Sequence, residues 1–239
     1  MKAILTFHSL DDSGSVLSYP PRRFRALVDE LARSPMPVLD LDTLLEPTTP
    51  AGVSLTFDDG MRSVQTHALP VLRDHGLPAH LFVTTDHVGG NNRWPGQPES
   101  APTFDLLTWD EVERCHAGGM RIESHSAAHA DLRALDLGAV EADCARADAE
   151  IARRVGTPPR YFAYPYGYFN AAIGRQLRRR YAACLTTRLR YVALSDDRAA
   201  LPRLDVYYLT RRWTMRLWSA RAQAYLRLRG YLRTLRGTQ

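Results

Sequence analysis

The sequence contains one lysine, three cysteines and no long apolar run. Cys115, Cys144 and Cys184 are far apart and have no Cys-x-x-Cys spacing, which argues against a disulfide framework or a thiolate zinc site. Because no run approaches about 18 apolar residues, we predict no transmembrane helix. The apolar stretch at the N-terminus is too short for a signal peptide, so we expect a cytoplasmic protein.

Acidic residues are absent after Asp205, whereas arginine is abundant there. The eight arginines are Arg211, Arg212, Arg216, Arg221, Arg227, Arg229, Arg233 and Arg236. The net charge of +5 therefore describes this tail, and the rest of the chain is slightly acidic. No recognised motif accompanies the charge, so nucleic-acid binding is not expected.

The tail also has the apolar pattern of a helix over residues 213–236. Its apolar stripe consists of Trp218, Ala222, Tyr225, Leu228, Leu232 and Leu235. A helix of this kind either docks on the preceding domain or lies on an anionic membrane. We therefore expect a basic amphipathic helix in 206–239, with peripheral contact to the inner face of a membrane through 213–239 as the second alternative.

Short β-rich runs alternate with helical patterns through the rest of the chain. The strand-like runs are 3–7, 53–57, 79–83, 120–124, 160–164 and 182–186, and the helical stretches are 22–33, 62–75, 108–117, 137–155 and 170–180. This alternation predicts an α/β fold with parallel strands joined by helical crossovers. The loop 85–106 has no periodicity, and its Trp94 either lines a cleft or holds the loop in place.

Polar motifs follow three of these predicted strands. They are "TFDDG" at 56–60, "HSAAH" at 125–129 and "RYFAYPYG" at 160–167. Alone, Asp58 and Asp59 suit a solvated turn, and His125 with His129 suits a surface pair. In a parallel barrel, however, the carboxyl ends of the strands meet on one face, where two imidazoles and a carboxylate make a common zinc site. Their joint occurrence favours a metal site.

In this order the three motifs resemble those of the polysaccharide deacetylases of carbohydrate esterase family 4, the NodB-like homology domain. The likeness covers about residues 1–205 and leaves 206–239 outside it. The resemblance implies an irregular, TIM-like (β/α) barrel over 1–205, followed by the basic helical tail. It also implies a divalent metal held by Asp-His-His, with zinc as the expected ion.

The resemblance assigns a role to each polar residue of the first two motifs. It implies that Asp59, His125 and His129 bind the metal. It implies that Asp58 is the base that takes a proton from the attacking water. The two adjacent carboxylates then have separate functions, and the positive charge of the metal keeps both ionised near neutral pH.

The third motif is expected to contact the substrate. By likeness to the family, the backbone N–H of Tyr166 holds the oxyanion, and Arg160 and Pro165 shape the wall of the groove. Trp94, from the long loop, is the further candidate for substrate binding.

Two departures from the family pattern affect the catalytic groups. The arginine that often orients the base in the third motif is replaced by Ala163, so either another group orients Asp58 or the chain belongs to a subgroup that omits the arginine. The segment "LPRLDV" at 201–206 falls where the family's fourth motif would lie, and by position alone Arg203 or Asp205 is expected to reach the pocket.

The general acid is the second departure, because no histidine follows His129. His8, at the end of the first predicted strand, lies on the expected catalytic face and is one candidate. The alternatives are that His8 is a structural cap, or that Asp58 itself returns the proton to the leaving nitrogen.

The sequence therefore predicts a metal-dependent hydrolase of a carbon–nitrogen bond, which removes acetyl groups from N-acetylated amino sugars of a polysaccharide or lipid-linked glycan. A catalytically silent, metal-containing glycan-binding module is an alternative, because the usual acid is missing. Retention of Asp58 counts against it. Hydrolysis of a non-sugar amide is a further alternative.

Overall fold

Seven parallel strands form a closed barrel in the computed structural model, which describes residues 1–97 and 100–235. The strands are β1 (Lys2–Phe7), β2 (Gly52–Phe57), β3 (Ala79–Val83), β4 (Met120–Ser124), β5 (Tyr161–Ala163), β6 (Ala183–Leu189) and β7 (Leu201–Asp205). Each strand pairs with the next, and β7 pairs with β1. The predicted α/β barrel is thus confirmed.

Helices lie outside the barrel and join most of the strands. They are α1 (Pro21–Ala32), α2 (Leu41–Leu45), α3 (Leu69–His75), α4 (Trp109–Ala117), α5 (Leu137–Val155), α6 (Ala171–Leu177), α7 (Arg212–Met215) and α8 (Ala220–Leu235). The predicted helix over 62–75 is here a π-helical turn, Val64–Ala68, followed by α3. Thr108 is the N-cap of α4, and its side chain forms a capping box with Glu111.

Aromatic packing fixes the ends of β1 and β2. Phe7 and Phe57 are paired in register and stack with ring centroids 4.9 Å apart, while Phe24 of α1 packs edge-on against both. Burying each of these side chains contributes about 1.5–3 kcal/mol. Because Phe7 precedes His8 and Phe57 precedes Asp58, the same packing positions the first polar residues at the rim.

The C-terminal helix α8 packs on the barrel at the end of β6. Ala222 and Leu226 are buried, and a Cβ added at Gly230 would lie 2.2 Å from the carbonyl oxygen of Leu189. The tail helix α8 therefore docks on the barrel, as the first alternative predicted. The predicted apolar stripe is partly wrong, because Leu228 and Leu235 are 56% and 65% exposed.

The remaining expectations for the tail are not decided by this packing. The division at residue 205 into two domains stays a prediction, and so does membrane contact. The end of the predicted helix at 236 lies outside the described residues. In the part of the chain that the structure describes, no helix combines the length and apolar character needed to cross a bilayer.

Candidate active site

The carboxyl ends of β2 and β4 bring together two of the motifs. Asp59 follows β2, and His125 and His129 follow β4; all three side chains are buried. Their potential ligand atoms lie within 4.8 Å of one another. The three residues predicted to bind a metal therefore converge on one point, as the parallel arrangement of the strands requires.

The histidine nitrogens are arranged as a metal ligand set requires. Nε2 of His125 is 3.2 Å from Asp59 Oδ1, and Nε2 of His129 is 3.4 Å from the same oxygen. His125 donates its Nδ1–H to the carbonyl of Ala163 at 2.7 Å, so Nε2 is the nitrogen that faces Asp59 and, in the neutral ring, the one that can bind a metal. Two imidazole nitrogens and one carboxylate oxygen fit zinc or a related divalent ion.

The local electrostatics favour an ionised carboxylate at this point. Burial alone would raise the pKa of Asp59, but hydrogen bonds from His125 and His129 lower it well below its usual value. Burial lowers the pKa of His129, so its neutral form, the form that binds metal, is favoured. Burial acts in the same direction on His125, but its hydrogen bond to Asp59 raises the pKa overall.

Strained backbone carries several of these side chains. Among the described residues other than glycine, positive φ angles occur at Asp59 (71°), Ser126 (66°), His129 (52°) and Tyr166 (58°). Such conformations cost about 1–3 kcal/mol each and persist only where the surroundings hold them. Their concentration at one cluster indicates a functional site rather than a solvated turn.

Side-chain acceptors hold the histidine loop in its strained conformation. Ser126 Oγ accepts from the His129 N–H at 2.9 Å. The carboxylate of Asp143, on α5, accepts from the backbone N–H groups of Ala127 (2.9 Å) and Ala128 (3.2 Å). Asp143 was not predicted from the sequence, because nothing in the pattern of α5 distinguishes this acid from its neighbours.

Asp58 forms a buried, bidentate ion pair with Arg203 of β7. The two guanidinium nitrogens lie 2.8 and 2.6 Å from the two carboxylate oxygens, and the Arg203 side chain is 1% exposed. Arg203 also donates to the carbonyl of Thr186 and to Thr56 Oγ1. Burial would raise the pKa of Asp58, but the charge of Arg203 overcomes this effect and lowers it. Arg203 thus occupies the orienting position that Ala163 cannot fill.

His8 lies beside both aspartates at the end of β1. Its charge contributes to the low pKa of Asp58 and of Asp59. The imidazole is half-buried and makes no hydrogen bond with any of the described residues. The two alternatives for His8, a structural cap and a general acid, both stay predictions.

The aromatic candidates pack against a predicted metal ligand. The Trp94 ring is buried with its centroid 4.0 Å from that of His129, and the Tyr166 ring meets His129 edge-on at 4.7 Å. Pro165 is buried at the start of the same turn as Tyr166. The ring contacts place Trp94 and Tyr166 beside the Asp59–His125–His129 cluster, and Pro165 precedes Tyr166 in the same turn. Contact with substrate stays a prediction for all three.

Arg160 lies at the amino end of β5, the end opposite to the one that carries this site. It precedes β5, whereas Pro165 follows it, and its guanidinium pairs with Asp42 of α2 at 2.9 Å. The expectation that Arg160 shapes the substrate groove is therefore wrong. The prediction treated "RYFAYPYG" as a single unit, but β5 separates Arg160 from Pro165.

Gly167 is expected to be essential for the turn that carries Tyr166. Its φ is 75°, and an added Cβ would lie 2.2 Å from Thr187 Oγ1. Gly167→Ala therefore lowers the free energy of unfolding by more than 2 kcal/mol, on the order of the combined cost of strain and overpacking. Urea denaturation measures this difference.

Gly76→Ala is the matched control, because Gly76 also has positive φ (62°) but no atom within 4 Å of an added Cβ. It should cost only the strain, about 1–2 kcal/mol. Equal losses in the two variants would show that contact with Thr187 does not constrain the turn.

Comparison with known proteins agrees with this geometry. The family model described as polysaccharide deacetylase matches residues 46–182, more than half of the chain. This chain belongs to the polysaccharide deacetylase family. The resemblance found in the three sequence motifs is thereby confirmed, and the matched region contains all of them.

Relatives in this family include deacetylases of two polymers. A chitin deacetylase from Colletotrichum lindemuthianum is 33% identical over 57% of this chain and 49% of that protein. A poly-beta-1,6-N-acetyl-D-glucosamine N-deacetylase from Staphylococcus epidermidis is 27% identical over 49% of this chain and 41% of that protein. The chain spans about half the length of the curated relatives it matches.

A solved structure extends the similarity over most of the fold. IcaB from Ammonifex degensii is 26% identical, with a TM-score of 0.72 over 86% of this chain and 91% of that one. The barrel observed here is therefore shared well beyond the residues that the family model matches.

Proposed function

We propose that this protein is a metal-dependent hydrolase that removes the acetyl group from an N-acetylated amino sugar in a polysaccharide or lipid-linked glycan. One observation carries the proposal: the Asp59–His125–His129 cluster lies beside a second carboxylate that Arg203 holds in place. The names of relatives as chitin and poly-N-acetylglucosamine deacetylases support the class of substrate.

In this proposal the three clustered side chains hold the cofactor, which we expect to be zinc. Asp59 contributes a negative charge, and His125 and His129 contribute neutral nitrogens. A bound divalent ion supplies Lewis-acid chemistry, which polarises the acyl carbonyl and acidifies the attacking water. The hydrogen bond from His125 to Ala163 fixes the ring orientation that this function requires.

Asp58 is the general base of the proposed reaction. Its carboxylate is ionised because Arg203 lowers its pKa, so it can accept the proton of the attacking water. The bidentate contact also fixes the orientation of the carboxylate next to Asp59. One aspartate therefore binds the ion while its neighbour moves the proton.

His8 is the proposed general acid, and the Tyr166 turn is the proposed oxyanion site. His8 donates a proton to the leaving amine, which is otherwise a poor leaving group. The backbone N–H of Tyr166 stabilises the negative charge that develops on the carbonyl oxygen. Pro165 and Trp94 form the adjoining wall.

The role of His8 predicts a dependence on the leaving group. His8→Ala should lower kcat on an N-acetylated chitooligosaccharide by about 10²-fold or more, because the amine needs a proton. It should change the hydrolysis of an aryl acetate much less, because a phenolate leaves unprotonated. His67→Ala, an exposed histidine on the outside, is the control. Similar losses on both substrates would contradict acid catalysis by His8.

The reaction itself is tested by acetate release from a panel of N-acetylated chitooligosaccharides with zinc present. The proposal predicts stoichiometric release of acetate and free amine. Bound metal with no turnover of any sugar would favour the glycan-binding module, and turnover of simple amides alone would favour a non-sugar substrate.

We also propose that the protein is cytoplasmic and contacts an anionic membrane through its tail, 213–239. Leu228, Tyr231 and Leu235 form an exposed apolar stripe on α8, and the exposed Arg221 and Arg227 flank it. Since α8 has no acidic residue, its charge complements anionic lipid headgroups.

Vesicle sedimentation tests the membrane proposal. The protein should sediment with vesicles that contain phosphatidylglycerol and not with phosphatidylcholine alone. Replacing Leu228, Tyr231 and Leu235 by serine should abolish sedimentation, whereas Leu137→Ser, at an exposed leucine of α5, should not. Unchanged sedimentation of the triple variant would exclude this stripe as the contact.

A further inference from the structure

A groove on the outside of the barrel is lined by an unusual concentration of arginine. It lies between α6 and the segment before β7 and has a volume of about 780 Å³. Its charged lining residues are Arg175, Arg178, Arg179, Arg188 and Asp197. Four positive charges and one negative charge therefore face a single concavity.

The positive charges of this arginine groove outnumber the negative charge that faces them, since Asp197 is the one acid among its described lining residues. None of the four guanidinium groups forms an ion pair with a carboxylate of the described residues, whereas the neighbouring Arg180 pairs with Glu141 and Asp148. One carboxylate oxygen of Asp197 accepts from the N–H of Ala199 at 2.8 Å. Uncompensated charges in a concave site attract anions and raise their local concentration.

Two of the arginines are held in place by neighbouring groups. The Arg188 guanidinium lies 5.3 Å from the centre of the Phe169 ring, which stacks on Tyr164 at 4.7 Å. Arg178 donates to the carbonyl of Tyr181. Because these side chains are already ordered, they lose less conformational freedom when they bind a ligand.

One end of the arginine groove, at Phe169 and Arg188, adjoins the proposed catalytic turn. Gly167 of that turn packs against Thr187, and Arg188 is the next residue along β6. Phe169, in the lining of the groove, follows the turn by two residues. A substrate whose acetamide lies at the metal cluster can therefore extend towards the groove.

We propose that the arginine groove binds a phosphoryl group, as a phosphate or diphosphate ester carried by the glycan substrate. The planar, forked guanidinium pairs with two phosphate oxygens at once. The volume is within the range of about 300–1,000 Å³ typical of ligand pockets, which leaves room for a diphosphate and an attached sugar. The link to substrate rests on the proposed function, but the binding of the anion does not.

Calorimetry with inorganic pyrophosphate at constant ionic strength tests anion binding. The variant Arg175→Ala/Arg179→Ala should bind about tenfold more weakly, which corresponds to about 1.4 kcal/mol. Arg22→Ala/Arg25→Ala removes the same charge from exposed positions of α1 and should leave binding unchanged. Failure of the wild type to bind, or equal loss in both variants, would overturn the site. Circular dichroism establishes that the variants are folded.

Kinetics distinguish a substrate phosphoryl group from a free anion. We compare a chitooligosaccharide that carries a reducing-end phosphate with the neutral sugar of the same length. The phosphorylated sugar should have a KM about fivefold or more below that of the neutral one, a ratio that falls to about one in the arginine groove variant. Pyrophosphate binding with a ratio of one in the wild type would assign the groove to a free anion and overturn the substrate link. If the wild type turned over neither sugar, only the proposed function would be contradicted, because calorimetry measures anion binding without any turnover.

Discussion

Replacing Arg203 by methionine should lower the free energy of unfolding by about 3–5 kcal/mol, because it leaves the buried Asp58 carboxylate without a partner. The same change should abolish deacetylation, since Asp58 then takes up a proton or turns away from the metal cluster. Arg203→Lys keeps the charge but loses the two-pronged contact, so it should recover part of the stability and little of the activity. Urea denaturation and acetate release measure the two effects separately.

Arg190→Met provides the matched control for this experiment. Arg190 also contacts both oxygens of an acid, Asp196, but its side chain is 44% exposed. An exposed pair contributes about 0–1 kcal/mol, so this variant should be nearly as stable and as active as the wild type. An Arg203→Met protein with wild-type stability and turnover would mean that Asp58 is oriented by another group.

Zinc should bind with one ion per chain and stabilise the fold through Asp59, His125 and His129. At a free zinc concentration about 1,000 times Kd, binding to the folded state alone adds about 4 kcal/mol, which a chelator should remove. His125→Ala removes one of the three ligands and should eliminate both the thermal shift and the activity. Differential scanning calorimetry with and without zinc measures the shift.

His67→Ala is the control for nonspecific binding of zinc to imidazole. His67 is exposed and is not part of the Asp59–His125–His129 cluster, so its removal should leave the thermal shift intact. An equal shift in wild type and His125→Ala would show that zinc binds elsewhere and would contradict the assignment of the cluster.

Much of the architecture is predictable because the strand motifs and their terminal polar residues are local in sequence. The runs at 79–83 and 120–124 match β3 and β4, and Asp59, His125 and His129 meet as parallel strands dictate. These three residues meet because each follows the carboxyl end of its strand. Periodicity and strand polarity supply this information.

The parts that escaped prediction depend on partners distant in sequence. β7 was missed because Pro202 and Arg203 interrupt its apolar run, and Arg203 is buried only because Asp58 neutralises it 145 residues away. Arg160 was misplaced for a different reason, since β5 separates it from Pro165 within one sequence motif. A buried charge cannot be recognised from its own segment when its counter-charge comes from another strand.

In the proposed reaction the two adjacent aspartates have different functions: Asp59 binds the ion and Asp58 accepts the proton. The most direct measurement is the metal content and acetate release of Asp58→Asn beside the wild type. We expect one zinc per chain in both proteins and a loss of turnover of about 10²–10⁴-fold in the variant, the usual range for a general base. A variant that keeps its turnover, or that loses zinc together with turnover, would contradict this division of roles.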